Sequence, residues 1–377
     1  MELTVVGAGL TGLVAAIEGA EHGWSVSVLE ARSSPGGRAG TLDGPYRANR
    51  GPHALYTDGP LWPWLEQRGL APPTVAPCDG TLFRAAGRIQ PSFPGLRESL
   101  AALPETAPSD ECFRGWLRRY IDDRQLVEAL TGFAFVVTYD HDPGRLSAKF
   151  VHDRIRRGGS SVRYVQGGWG RVIEQLRDRA VALGVDLCYG ERVHSVPAGP
   201  TIIATTLPAA RTITGDPALS WSGTRAALFD FGLGPGAPID WFRVFDLDQR
   251  IYAARYSQAD PSLAPPGHHL IQIGAALAPG ERFSAAVGRV HNLLDTSAPG
   301  WANHLQWKRA YELSDQTGAV DLPGSDWYDR PAVIRSHSLA VTSDASAAPG
   351  LFSEVALNAV RHSISELRYS KAEAVYR

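Results

Sequence analysis

Apolar residues change their spacing along the chain, and each change marks an element. Leu3–Val6 is a continuous apolar run that reads as a buried strand. Behind it Leu10, Leu13, Val14 and Ile17 recur every three to four residues until Gly23, as on one face of a helix. Val26–Leu29 reads as a second strand. Later, Gly167-Gly168-Trp169 opens a helix, "GVDLCYGERVHSV" reads as one strand followed by another, and "PTIIATTLP" as a buried parallel strand with Ala204 at its end. The stretch "FDFGLGPGAP" imitates a nucleotide-binding turn, but Pro235 and the strand-like "IDWFRVFDL" after it forbid the required helix, so a hairpin loop is expected. The apolar stretch Leu3–Ala20 begins after Glu2 and is punctuated by glycines, so it reads as a folded element and not as a secretion signal. Phe133–Tyr139 is far too short to span a bilayer, and no transmembrane segment is expected.

Strand, helix and strand in that order predict an α/β unit, and the turn inside it carries Gly7-Ala8-Gly9-Leu10-Thr11-Gly12. Gly7 permits the tight turn, Gly9 lets backbone approach a pyrophosphate, and Gly12 lets the helix lie close to the strand. The amides of Leu10 and Thr11 then open the helix, whose N-terminus favours an anion. Glu30 follows at the end of the second strand, beside Ala31 and Arg32, where a carboxylate accepts hydrogen bonds from ribose hydroxyls and repels a 2′-phosphate. Directly after it come Gly36-Gly37-Arg38: two glycines that expose amides, and a guanidinium fork suited to a phosphate oxygen.

A glutamate followed by a G-G-R loop resembles the FAD-binding signature of the monoamine oxidase and phytoene desaturase superfamily, most closely its phytoene-dehydrogenase-like branch. The resemblance implies noncovalently held FAD, since a C-terminal cysteine motif for attachment is missing. It implies a Rossmann-like FAD-binding domain of the glutathione-reductase type with a discontinuous α+β substrate domain. On that pattern residues 1–60, 146–215 and 320–377 form the FAD domain, and residues 61–145 and 216–319 the substrate domain. "ANRGPHALYTDG" is similar to the family segment beside the isoalloxazine ring, which implies flavin contacts from Gly51, Pro52, His53 and Ala54. Val193 falls where the family makes a backbone contact to adenine. "YSQADPSLAPPGHHLIQI" resembles a substrate-domain hairpin. "LAVTSDASAAPGLFSEVALNAV" resembles the closing signature, with Asp344 on the ribityl chain, Ser343 in place of the usual glycine, and Gly350, Leu351, Phe352 and Ser353 opening a helix aimed at the ring.

The implied activity is dehydrogenation or desaturation of a small organic substrate by hydride transfer to flavin, in secondary metabolism. Alternatives are an oxygen-using oxidase, a redox-neutral isomerase or mutase, and a flavin-bearing binding protein without turnover. His53 is the candidate catalytic acid or base, weighed against a role that only shapes the pocket; Arg50 and Tyr56, which flank it, are candidate substrate contacts.

Composition narrows the partners. With 44% hydrophobic and 20% charged residues and a formal net charge of −2, the chain offers no basic excess to nucleic acid or to an anionic membrane. Cys78, Cys112 and Cys188 are odd in number and lack C-x-x-C spacing, which favours a cytoplasmic protein with small buried thiols. His268 and His269 are adjacent on a strand and point to opposite faces, so no metal site is expected. Ser160, Ser161 and Ser353 lack a His/Asp relay, and Lys308 reads as a surface residue.

Overall fold

The computed structural model describes the backbone of residues 1–157 and 161–375, and the side chains of all of these but 315–317 and 368–375. Ser160 therefore lies outside the described residues. The apolar N-terminal run is the strand β1 (Glu2–Val6), and it lies in the middle of a six-stranded sheet. The order is β15 (Ile334–Ser336), β16 (Leu339–Val341), β9 (Thr201–Ile203), β1, β2 (Ser25–Glu30) and β8 (Asp186–Tyr189). All neighbours are parallel except β15 and β16. Parallel strands need crossovers and are buried on both faces, which accounts for the unbroken apolar runs of β1 and β9.

The helix Leu10–Glu21 crosses over from β1 to β2 and packs against the helices Gly170–Ala182 and Ser353–Val375. Leu3, Val5, Leu13, Ile17, Val28, Trp64, Leu176 and Val360 form the core between them. The glycines of the first turn are required here. Gly7 has φ +101°, and a Cβ on Gly12 would stand 1.8 Å from the Gly7 carbonyl oxygen, so no other residue lets the helix pack this closely.

A second sheet has seven strands: β14 (Leu305–Ala319), β10 (Gly223–Leu233), β13 (His269–Ala276), β12 (Ile251–Arg255), β11 (Arg243–Asp246), β5 (Thr81–Ala85) and β6 (Arg88–Gln90). Phe229, Phe231, Ile271 and Ile273 pack on Val290 and Leu294 of the helix Phe283–Ser297. A small antiparallel sheet joins β3 (Leu55–Tyr56), β7 (Val162–Val165) and β4 (Thr74–Val75).

Three expectations are corrected. The loop after β10 is not a hairpin, because β10 is already paired with β13 on one edge and β14 on the other, and β11 lies beyond β12. Residues 191–194 form no strand, because β8 is the edge of its sheet and nothing lies beyond it to pair with. The hairpin-like stretch after β12 does return antiparallel as β13, by way of a short helix, Tyr256–Ala259. The cysteines are partly exposed and not buried. Among the described residues no helix is long and apolar enough to cross a membrane.

Candidate functional site

At the carboxyl ends of β1 and β9 the chain leaves a cradle. Gly9 caps the helix Leu10–Glu21 without a side-chain hydrogen bond, its first turn has no acidic residue, and a Cβ on Gly9 would meet nothing within 4 Å. Backbone amides at an uncapped helix start, open to space and free of negative charge, suit a dinucleotide pyrophosphate. Gly7 closes on the opposite wall, where its Cβ would stand 2.7 Å from the Ala204 carbonyl oxygen. Leu10 and Thr11 are partly exposed at the mouth, and Val193 packs beside Val6 and Ile203.

Glu30 does more than await a ribose. Its Oε2 accepts the Ala8 amide at 2.7 Å and its Oε1 the Arg32 amide at 2.9 Å, so one carboxylate ties the glycine turn to the end of β2. Each oxygen keeps a second lone pair, while Ala31 and Arg32 are exposed next to it. The loop at Gly36 is pinned to the same turn by a 2.8 Å bond from its amide to the Ala8 carbonyl, and Gly37 lies against Gly9. Arg38 is also tied to the far wall of the site. Its Nη1 pairs with Asp344 Oδ2 at 2.8 Å, joining residues 306 apart in sequence. Burial acts to lower the guanidinium's pKa, but the Asp344 carboxylate overrides it and leaves it raised.

The segment 46–54 runs along β10 on the face opposite the helix Phe283–Ser297. A Cβ on Gly51 (φ +111°) would come 3.0 Å from Leu228, and one on Gly232 would strike the Tyr46 ring. Between them lies a buried polar knot. Gln272 donates to Asp230 Oδ1 at 2.7 Å and to the Asn49 carbonyl at 2.9 Å, and Arg309 donates to Asp230 Oδ2 at 2.6 Å and to the Asn49 carbonyl at 2.8 Å. Burial raises the Asp230 carboxyl, against the pull of Arg309 and Gln272. Asn49 Oδ1 in turn accepts the Trp169 amide at 2.9 Å. This network fixes Trp169 against His53, with ring centroids 5.7 Å apart. The Trp169 indole nitrogen is buried and has no hydrogen-bond partner among the described residues.

His53 Nδ1 lies 2.7 Å from the Gly51 carbonyl, which holds a proton on that nitrogen. Burial lowers the imidazole pKa, the Gly51 carbonyl opposes this, and the Arg38 charge adds to the lowering, so the ring is held neutral. The Tyr256 hydroxyl donates to the His53 carbonyl at 3.3 Å, and the Tyr139 hydroxyl to the Pro52 carbonyl at 3.2 Å. Ala54 packs on the core beneath. Tyr56 is on β3, where burial pushes its phenol up to about 12. Arg50 is placed beside the 36–40 loop, 3.0 Å from where a Cβ on Gly40 would be; burial, with Arg32 and Arg309, lowers it.

The closing wall comes from the C-terminal segment. Ser343 is buried and its Oγ accepts the Ala345 amide at 3.1 Å, which makes the turn that glycine would otherwise serve and leaves Asp344 free to reach Arg38. The last helix starts at Ser353, not Gly350: Gly350 (φ +116°) and Phe352 (φ +47°) are in the left-handed region ahead of it. The Leu351 amide is spent on Glu354 Oε2 at 3.0 Å, and Glu354 pairs with Arg157 through two bonds of 2.6 and 2.7 Å. Phe352 meets Tyr139 edge-on, with centroids 6.1 Å apart. Lys308 is exposed, on β14.

Sequence reasoning passed over Asn49, Asp230, Gln272 and Arg309, and the tyrosines 139 and 256. Their one visible signal is a polar residue inside an otherwise apolar strand, as Asp230 is in "ALFDFGL".

A family model described as an NAD(P)-binding Rossmann-like domain matches residues 5–67. No curated protein matches the chain. Among solved structures, an oxidoreductase from Methanosarcina mazei shares 18% identity over 97% of this chain and 100% of its own, with a TM-score of 0.80. Cyclohexylamine oxidase from Brevibacterium oxydans shares 15% identity over 100% and 99%, TM-score 0.72. Reduced UDP-galactopyranose mutase shares 12% over 98% and 95%, TM-score 0.71. At these identities the likeness is one of fold, and it runs the whole length of the chain.

Proposed function

We propose that this chain is an FAD-dependent oxidoreductase that removes hydride from a small organic substrate. The observation that carries the reading is the continuity of the cradle: uncapped Gly9, then Glu30, then the Gly36-Gly37-Arg38 loop against the same turn, then His53 and Trp169. A nicotinamide cofactor does not call for the second glycine loop or for the return of Asp344 to it. The unpartnered Trp169 indole N–H is a buried donor awaiting an acceptor, which fits a heteroaromatic ring alongside it. The fold shared with cyclohexylamine oxidase supports the same reading.

Bound FAD supplies the hydride acceptor. The protein's part is position and electrostatics. The Gly9–Thr11 amides hold the pyrophosphate and Glu30 the ribose, while Asp344, steered by Arg38, is the candidate ribityl contact. Residues 51–54 lie alongside the ring. A neutral His53 with its proton on Nδ1 leaves Nε2 as an acceptor, able to hold a substrate proton or to shape the pocket. On this reading residues 61–145 and 216–319 form the substrate domain, and the product belongs to secondary metabolism.

The test is direct. Purified protein should be yellow and should release intact FAD on denaturation. Recovery of NAD, FMN or no nucleotide after reconstitution refutes the proposal. Anaerobic bleaching by candidate amines and alkenes, followed by exposure to air, assigns the acceptor, since peroxide release marks an oxidase.

A further inference from the structure

The helix Ala148–Arg157 sends two guanidiniums toward the start of the last helix, and only one of them is answered. Arg157 has both oxygens of Glu354. Arg154, three residues earlier, is only 7% exposed and has no hydrogen bond or ion pair among the described residues; its Nε is sealed from solvent without a partner. What it has is ring faces: its guanidinium carbon is 3.6 Å from the Phe150 centroid and 5.7 Å from that of Phe352.

The nearby charges do not balance it. Asp321 is buried, but Arg330 takes both its oxygens, at 2.9 and 2.7 Å, and still has a buried Nη1 with no partner. Asp153 is exposed and pairs with Lys149 at 2.7 Å. Two buried guanidiniums thus share one buried carboxylate, a surplus of one positive charge. An unpaired buried charge is costly, and an oppositely charged ligand would offset that cost.

We infer that Arg154 receives a carboxylate on the substrate, so that the organic substrate of the proposed flavoenzyme is a monoanion. The inference rests on the flavin reading for the word substrate. The position supports it: Arg154 stands against Phe352 and acts on Tyr56, at the ring-side wall, whereas the pyrophosphate cradle is formed by Gly7–Gly12. A single surplus charge and a planar fork match a carboxylate, and the flanking rings match an apolar body attached to it.

Benzoate and its neutral isostere benzamide are the probes, titrated into the oxidised holoenzyme and followed by flavin absorbance and by thermal melting. Benzoate should bind at least tenfold tighter than benzamide in wild type, Arg154→Met should abolish the preference, and Arg154→Lys should keep part of it. Burial and Arg330 lower the Arg154 pKa to about 9, against Asp321, Asp153 and Tyr56, so benzoate affinity should also fall as pH rises through 9. A wild-type preference below twofold overturns the inference, as does an Arg154→Met protein that retains it. Stronger stabilisation by inorganic phosphate than by benzoate overturns the carboxylate assignment. Should Arg154→Met not fold, the wild-type preference and its pH dependence still decide. Protein that holds no flavin refutes the proposed function alone, and melting with the two probes then tests Arg154 independently.

Discussion

Glu30→Ala separates the two tasks assigned to one carboxylate. The side chain holds the Ala8 and Arg32 amides at 2.7 and 2.9 Å before any ligand arrives, so its removal should weaken the flavin-free protein as well as cofactor binding. A charge-assisted hydrogen bond contributes about 1.5–3 kcal/mol at best. Glu30 is partly exposed and water replaces part of the loss, so about 2 kcal/mol for the pair is the working figure. Unfolding entropy for 377 residues is roughly 0.8 kcal/mol/K, which converts this to a Tm lower by about 2–3 °C. FAD affinity should fall further, by about ten- to a hundredfold, because the loosened turn must be re-formed on binding and the ribose contacts are gone. Glu30→Gln keeps one acceptor oxygen and should fall between. The assays are melting of flavin-free protein and titration with FAD by fluorescence quenching. An unchanged Tm with a weakened FAD site refutes the structural task; an unchanged FAD affinity refutes the placement of the ribose.

Gly12→Ala should abolish FAD retention and lower the soluble yield, because its Cβ would stand 1.8 Å from the Gly7 carbonyl oxygen; normal flavin content on purification contradicts the close packing. Arg309→Met leaves the buried Asp230 carboxylate to Gln272 alone and should cost about 3 kcal/mol, most of which Arg309→Met with Asp230→Leu should recover; a double variant no more stable than the single contradicts the pairing. His53→Asn tests acid–base chemistry by stopped-flow flavin reduction: a fall of about 10²-fold or more at saturating substrate supports proton transfer, whereas a rate near wild type with weaker binding supports pocket shaping. Because the folded pKa of His53 is lowered from 6.5, its neutral form stabilises the protein above that pH, and the benefit is lost as pH falls below it. His53→Asn should therefore flatten part of the acid side of the Tm–pH curve, and an unaltered curve contradicts the shift.

What the sequence made legible is local. The turn Gly7–Gly12, the helix behind it and Glu30 lie within one crossover, and each residue type there answers a constraint from a near neighbour. The polar knot was not legible, since Asn49 meets Gln272 across 223 positions and neither residue announces the other. Arg38 shows the same limit: nothing in its local sequence announces the pairing with Asp344, 306 positions on. The strand expected at 191–194 does not form, because a local apolar residue such as Val193 cannot state that a neighbouring strand exists to pair with. Arg154 was passed over, although it lies four residues after Phe150 and three after Val151 on the helix Ala148–Arg157.

The position of β1 between β2 and β9 has a consequence for the making of the protein. One edge of this strand is covered by residues 25–29, but the other waits for residues 201–203, and beyond those the sheet waits for 339–341. At roughly 5–20 residues per second, a ribosome takes about ten to forty seconds to deliver β9 after β1, and the open edge of an apolar parallel strand is exposed throughout. The cradle of the proposed function is closed only when Asp344 reaches Arg38, 306 residues further along the chain. Fragments ending before Asp344 should carry the glycine turn intact and, on the proposed function, still fail to retain the nucleotide.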